Sequence, residues 1–315
     1  MSESFALNIR PPETEFYESE SDLCDFWNEV NEIFSEYHLT VKNFNFTILS
    51  DFSNLVKGSE NDFFNGGNIT IEVRYDYIES KYLTKYVVLS FIDNLFICSN
   101  LSFPGILNLY KTRIFGEKDF YEDFFLGSVF FESVWEVSKT FHNWPKIQRI
   151  PLKKVFNWSK SLEINLTPIA ENNIERALYS LLEISNNLSN DNPTIVVWIT
   201  NALEAVYNIK SGDPIIKYLK RRIFLHLGQS EHTRKINKSI NEFYAYRSSF
   251  VHGDLKILRL GAFKYYNEEK ISDYYNSLWK LINFGNTLLI STLQKMILQN
   301  YKELEFEEVL KNRKN

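Results

Sequence analysis

The feature that most constrains this fold is a change in apolar period part-way along the chain. Before about residue 160 the apolar residues come in β-branched and aromatic runs. After the prolines Pro145, Pro151 and Pro168 they recur every three or four positions almost to the C-terminus. A sustained 3.6-residue period predicts helices packed on helices, because an amphipathic stripe is stable only when another element covers it. Helices are expected at about Ile169–Leu188, Thr194–Asn208, Pro214–Leu227, His232–His252, Glu268–Leu298 and Tyr301–Lys311. Pro193 and Pro214 stand where first-turn prolines belong.

The first half reads differently. Ser21–His38 predicts an amphipathic helix, with Leu23, Phe26, Trp27, Val30 and Phe34 on one stripe. Val41–Leu49, Ile69–Tyr75 and Tyr86–Cys98 read as strands, and Gly66-Gly67 as a turn between two of them. Asp119–His142 is an aromatic amphipathic stretch whose Phe124, Phe125, Phe130, Phe131 and Trp135 are expected to be core. The chain is therefore expected to be α+β. A mixed α/β N-terminal domain of unassigned role, a candidate sensor or regulatory unit, spans 1–160, and an all-α bundle spans 161–315.

Composition sets bounds on function. Apolar residues are 44% and aromatics 16% of the chain, which describes a folding polypeptide with ring-filled cores. No run of about 18 apolar residues occurs, and Met1–Pro12 lacks a signal-peptide layout, so a cytoplasmic protein without membrane contact is expected. Cys24 and Cys98 have no CxxC spacing and read as reduced thiols. No zinc-type spacing, phosphate-cradling glycine loop or nucleophile elbow appears, so neither a metal nor a cofactor is expected. The net charge of −5 conceals an asymmetry. Met1–Glu36 carries ten acids and one base, whereas Lys210–Arg259 carries eleven bases and four acids, a local +7. A polyanion would meet the second region, although lysine-rich helix faces are often simply solvated.

The expected helix ending at His252 holds the residues with chemical potential. Its apolar stripe runs through Ile236, Ile240, Phe243 and Phe250, and Arg247 falls on that stripe. A guanidinium there needs a carboxylate or a phosphate, whether as a structural ion pair or as a site. Gly253 marks the helix end, which leaves His252 on the last turn as a side chain able to take or give a proton near neutral pH. The spacing Arg-x4-His is weak alone, and it recurs at Arg221 and His226.

Context separates the two. Tyr244, Arg247-Ser248 and Val251-His252-Gly253 together resemble the signature of HEPN domains, specifically the Apea-like group, and Trp198–Tyr207 resembles that group's Ala-Leu-Glu segment. The resemblance covers about residues 160–300. It implies a helical bundle that cleaves RNA, with tRNA among the candidate substrates, without a metal and commonly as a toxin or antiviral defence effector in abortive infection. It also implies a homodimer with both motifs at the interface. A regulatory partner or phage trigger acting through the first half would fit the group. Members silenced by a partner nucleotidyltransferase carry a Tyr two residues after the His, and Asp254 stands there instead.

Under that resemblance Arg247 would stabilise the charge of a phosphorane and His252 would move the proton of an attacking ribose 2′-OH, leaving a cyclic phosphate. Glu204, with Asn201 and Asn208 on a polar strip, either orients Arg247 or is a surface acid. Ser248 either touches phosphate or bonds the carbonyl behind it. Lys217, Lys220 and Arg222 either lead RNA in or serve solubility. Residues five apart on a helix point about 140° apart, so either the His252 ring swings back at the helix end or two copies of the chain complete one cleft; the resemblance implies the second, with Tyr244 and Phe250 near the contact. The alternatives are a non-catalytic HEPN module that binds RNA, a nucleotide or a partner protein, and an unrelated helical interaction protein in which Arg247 is a structural ion pair.

Overall fold

In the computed structural model, residues 1–9, 20–56, 67–116, 121–162, 168–187, 192–210, 212–259 and 269–307 are described. Six strands form one antiparallel sheet in the order β2-β3-β4-β1-β5-β6. They are β1 (Ser2–Ile9), β2 (Glu36–Val41), β3 (Phe44–Asp51), β4 (Gly67–Tyr75), β5 (Leu109–Phe115) and β6 (Tyr121–Leu126). The helices of this half are α1 (Glu20–Phe34), the short α2 (Ser53–Val56), α3 (Thr84–Ser102), α4 (Val129–Thr140) and α5 (Leu152–Ser161). Helices α6 (Asn173–Asn186), α7 (Thr194–Val206), α8 (Ile215–Leu227), α9 (Thr233–His252) and α10 (Glu269–Gln299) follow. The architecture is a mixed α+β one. Among the described residues no helix is long and apolar enough to cross a membrane.

Several elements depart from the sequence expectation for identifiable reasons. Tyr86–Cys98 belongs to helix α3, not to a strand. The helix is buried nearly all round, from Val87 and Val88 through Phe91, Leu95 and Phe96 to Leu101, so its apolar run carries no period to distinguish it from a buried strand. Val41–Leu49 is a hairpin, because Lys42 and Asn43 take φ of 50° and 68° and turn β2 into β3. The helix expected to reach His38 stops at Phe34, and Glu36–Val41 pairs with β3 instead. Asp119–His142 divides into β6 and α4, which puts Phe124 in the core and leaves Phe125 exposed. The sequence reading missed β1, a central strand paired with β4 and β5, whose alternate residues Phe5, Leu7 and Ile9 enter the core.

In the second half, helices stand in all five stretches from Ile169 to Leu298. The helix expected at Tyr301–Lys311 is absent over residues 301–307, and 308–311 lie outside the described residues. The indole of Trp158 donates to the Tyr301 carbonyl (2.7 Å), and Phe306 packs against Tyr207, so this segment is held as an extended arm.

α10 is the spine of the molecule. It packs against α4, α7, α8 and α9, and elements before and after residue 160 share one hydrophobic core. Its buried polar residues tie the halves together. Gln294 donates to the carbonyls of Leu101 (3.0 Å) and Gln148 (2.8 Å), and Asn286 donates to the carbonyl of Phe130. Gly285 lets α9 approach α10 closely, since a Cβ there would lie 2.6 Å from Cε2 and 2.8 Å from Cζ of Phe243 on α9. Phe243 is fully buried and cannot swing aside. Gly285→Ala is therefore expected to be destabilising. Overpacking of about 1–3 kcal/mol outweighs the roughly 1 kcal/mol that alanine gains in helix propensity, which a fall in the denaturant midpoint would show.

Candidate functional site

The turn leaving α7 decides where α8 begins. Asn208 takes a left-handed φ of 51°, and the carbonyls of Tyr207 and Asn208 each accept a hydrogen bond from Arg222 Nη1 at 2.8 Å. Asp213 Oδ2 then accepts from the Lys210 amide (2.9 Å), and Pro214 opens α8. Arg222 thus binds the end of α7, and its guanidinium also lies over the Phe306 ring, 5.0 Å from the centroid. It does not line the cleft between α8 and α9.

That cleft opens between the first turn of α8 and the middle of α9 and encloses about 730 Å³, with Lys217, Lys220, Tyr244, Arg247 and Ser248 facing into it. Lys220 reaches across it to Asn241 Oδ1 on α9 (2.6 Å). α9 is held by Ile236, Ile240 and Phe243, all 0–1% exposed, and Arg247 continues that stripe into the cleft wall. The side chain as a whole is half-buried. Arg247 Nε is sealed from water and has no hydrogen-bond partner.

Two further sealed and unpartnered atoms accompany it, Glu204 Oε1 from α7 and the Tyr244 hydroxyl from α9. Their electrostatics show that the three groups feel one another. Burial raises the Glu204 carboxyl above the usual carboxylate range, and the Arg247 charge opposes that shift. Tyr244 is raised well above its ordinary value, first by burial and then by the Glu204 charge, with Arg247 again opposing, so its hydroxyl stays protonated. Glu204 is therefore a half-buried acid within electrostatic reach of Arg247, with no hydrogen bond or ion pair between them. Ser248 is exposed on the cleft rim, and its hydroxyl makes no bond to the carbonyl behind it.

His252 lies elsewhere. It is exposed on the last turn of α9, where Gly253 takes φ 80° and the Asp254 amide returns to the Ser249 carbonyl (2.9 Å), closing the helix. Five residues separate it from Arg247, about 7.5 Å along the axis and about 140° around it, and it does not line the cleft. Phe250 is half-buried. The second Arg-x4-His is resolved by burial: His226 is 7% exposed, edge-on to Tyr207, with Nε2 3.4 Å from the Thr292 carbonyl. Cys98 is buried as well, and burial pushes its thiol up to about 12. Among the described residues no group of three or more His, Cys, Asp and Glu is placed to hold a metal ion. Comparison with protein-family models, curated proteins and solved structures finds no match.

Burial lowers the His226 imidazole below its ordinary 6.5, so the folded state holds it neutral. Its contribution to stability is complete above that value and is lost as pH falls below it, because the unfolded chain then takes up a proton that the folded chain resists. His226→Gln is expected to flatten the decline in denaturant midpoint between about pH 7 and pH 5 relative to wild type, and a parallel decline would contradict this.

Proposed function

We propose that the chain is a metal-independent RNA endonuclease of the HEPN type, with the α6–α10 region as its ribonuclease unit and a role as a toxin or antiviral effector. The observation that carries this reading is Arg247 itself: a guanidinium on the buried stripe of α9, backed by Glu204, unpaired, and facing a cleft that also holds Lys217 and Lys220. A cation fixed in that way is suited to a phosphate whose charge grows during reaction, since it need not reorganise as the charge develops. Glu204 orients it, and Tyr244 supplies a neutral donor beside it. His252 is the group able to move the ribose 2′-OH proton.

The separation of Arg247 from His252 is resolved in this proposal by a two-fold pairing of chains, in which His252 of one copy approaches the cleft of the other. The basic region 210–259 would double its charge on pairing, so the contact must carry apolar area. Exposed Val251 and half-buried Phe250 are the residues near the motif that can supply it. A second reading, a HEPN-type module that binds RNA or a nucleotide without cutting it, draws on the absence of His252 from the cleft lining.

Arg247→Ala and His252→Ala should each reduce RNA cleavage by at least about a hundredfold while leaving a folded protein, and cleavage should persist in excess EDTA. The 5′ fragment should end in a cyclic or 3′-phosphate, and a 2′-deoxyribose at the cut should block it. Full cleavage by His252→Ala, or cutting of the deoxy substrate, would contradict the reading. Sedimentation should report about twice the chain mass of 37.3 kDa.

A further inference from the structure

We infer that the cleft is a binding site for a phosphate ester, built on the backbone at the start of α8 as well as on side chains. First-turn amides of a helix have no acceptor within it. In α8 the capping position is Pro214, which has no side-chain acceptor and makes no capping bond, so the positive end of a 13-residue helix is left open. It opens into the cleft that holds Lys217, Lys220 and Arg247. Neither Lys217 nor Arg247 forms an ion pair among the described residues.

A second observation does not depend on the helix. Tyr244 lies in the cleft wall, 5% exposed, with its hydroxyl sealed, protonated and without an acceptor. Helix amides, a tyrosine donor and two unpaired cations together call for an anion with several oxygens, the geometry of a phosphate. The rest of the wall is Ser248, Asp213, whose Oδ2 is engaged by the Lys210 amide, and apolar Pro214, Ile215 and Ile216, the last 39% exposed. A bare anion would leave that apolar surface wet, whereas the sugar or base of a nucleotide would cover it.

This inference rests on the functional reading only for the choice of a nucleotide as ligand. It shares Arg247 with the proposed active site but makes no use of His252, so binding and cleavage can fail separately. The test is calorimetric titration of the full chain with inorganic phosphate, a nucleoside 5′-monophosphate and a short non-cleavable 2′-deoxy oligonucleotide. Ile215→Pro removes one first-turn amide at a position where proline suits the helix and where Pro214 already has a ψ of 79°, and Ile215→Ala keeps that amide.

The nucleotide probes should bind more tightly than phosphate. Ile215→Pro and Lys217→Ala should each weaken binding about tenfold and Ile215→Ala much less. Preference for the monophosphate would identify a terminal phosphate as ligand, and preference for the oligonucleotide a diester. No binding of any probe, equal binding by Ile215→Pro and Ile215→Ala, or indifference to Lys217→Ala would overturn the inference. Loss of cleavage with binding intact would count against the ribonuclease reading alone.

Discussion

The site depends on the way α9 delivers Arg247 into a wall that is nearly dry. A sealed donor or acceptor left without a partner costs about 1–3 kcal/mol, and three such atoms, on Glu204, Tyr244 and Arg247, gather at one place. A structural ion pair would have closed on itself. This trio stays open, and the fold holds it there because the rest of α9 is fixed: Phe243, one turn before Arg247, is seated in the gap left by Gly285 on the central helix α10. The packing of α9 on α10 therefore fixes the segment that carries Arg247.

How much of this was legible in the sequence depends on which interactions are local. The stripe of α9, the placement of Arg247 on it and the stop at Gly253 all come from a 3.6-residue period and one helix terminus, and both can be read along the chain. The electrostatic reach of Glu204 to Arg247 cannot, because it runs from α7 to α9. Arg222 shows the same limit from the other side. It stands in the basic run that Lys217 and Lys220 share, yet its guanidinium is held by the end of α7. Gly285 reads as an ordinary helix glycine until Phe243 is placed against it. In the first half, α3 was misread because burial on every side removes the periodic signal, and β1, eight residues whose alternate Phe5, Leu7 and Ile9 enter the core, was missed.

The anion-attracting features belong to three elements. α8 contributes its open first turn, Lys217 and Lys220; α9 contributes Tyr244 and Arg247; and α7 carries Glu204, the acid within electrostatic reach of Arg247. The turn at Asn208–Pro214, locked by Arg222 and Asp213, keeps these pieces in register, and α10 supports them all. The proton-moving candidate, His252, stands outside this frame on the exposed helix end. A single chain thus presents a cleft with Lys217, Lys220 and Arg247, which we propose takes phosphate, and a separate exposed histidine.

Mixing two inactive variants tests that separation most directly. Arg247→Ala and His252→Ala chains, each inactive alone, are denatured, combined in equal amounts and refolded together. If Arg247 of one copy works with His252 of the other, a mixed pair keeps one intact site, and random pairing should restore about a quarter of wild-type cleavage. No recovery from a mixture shown to contain mixed pairs would mean that each chain must supply both residues to its own site, and the two-chain cleft would be wrong.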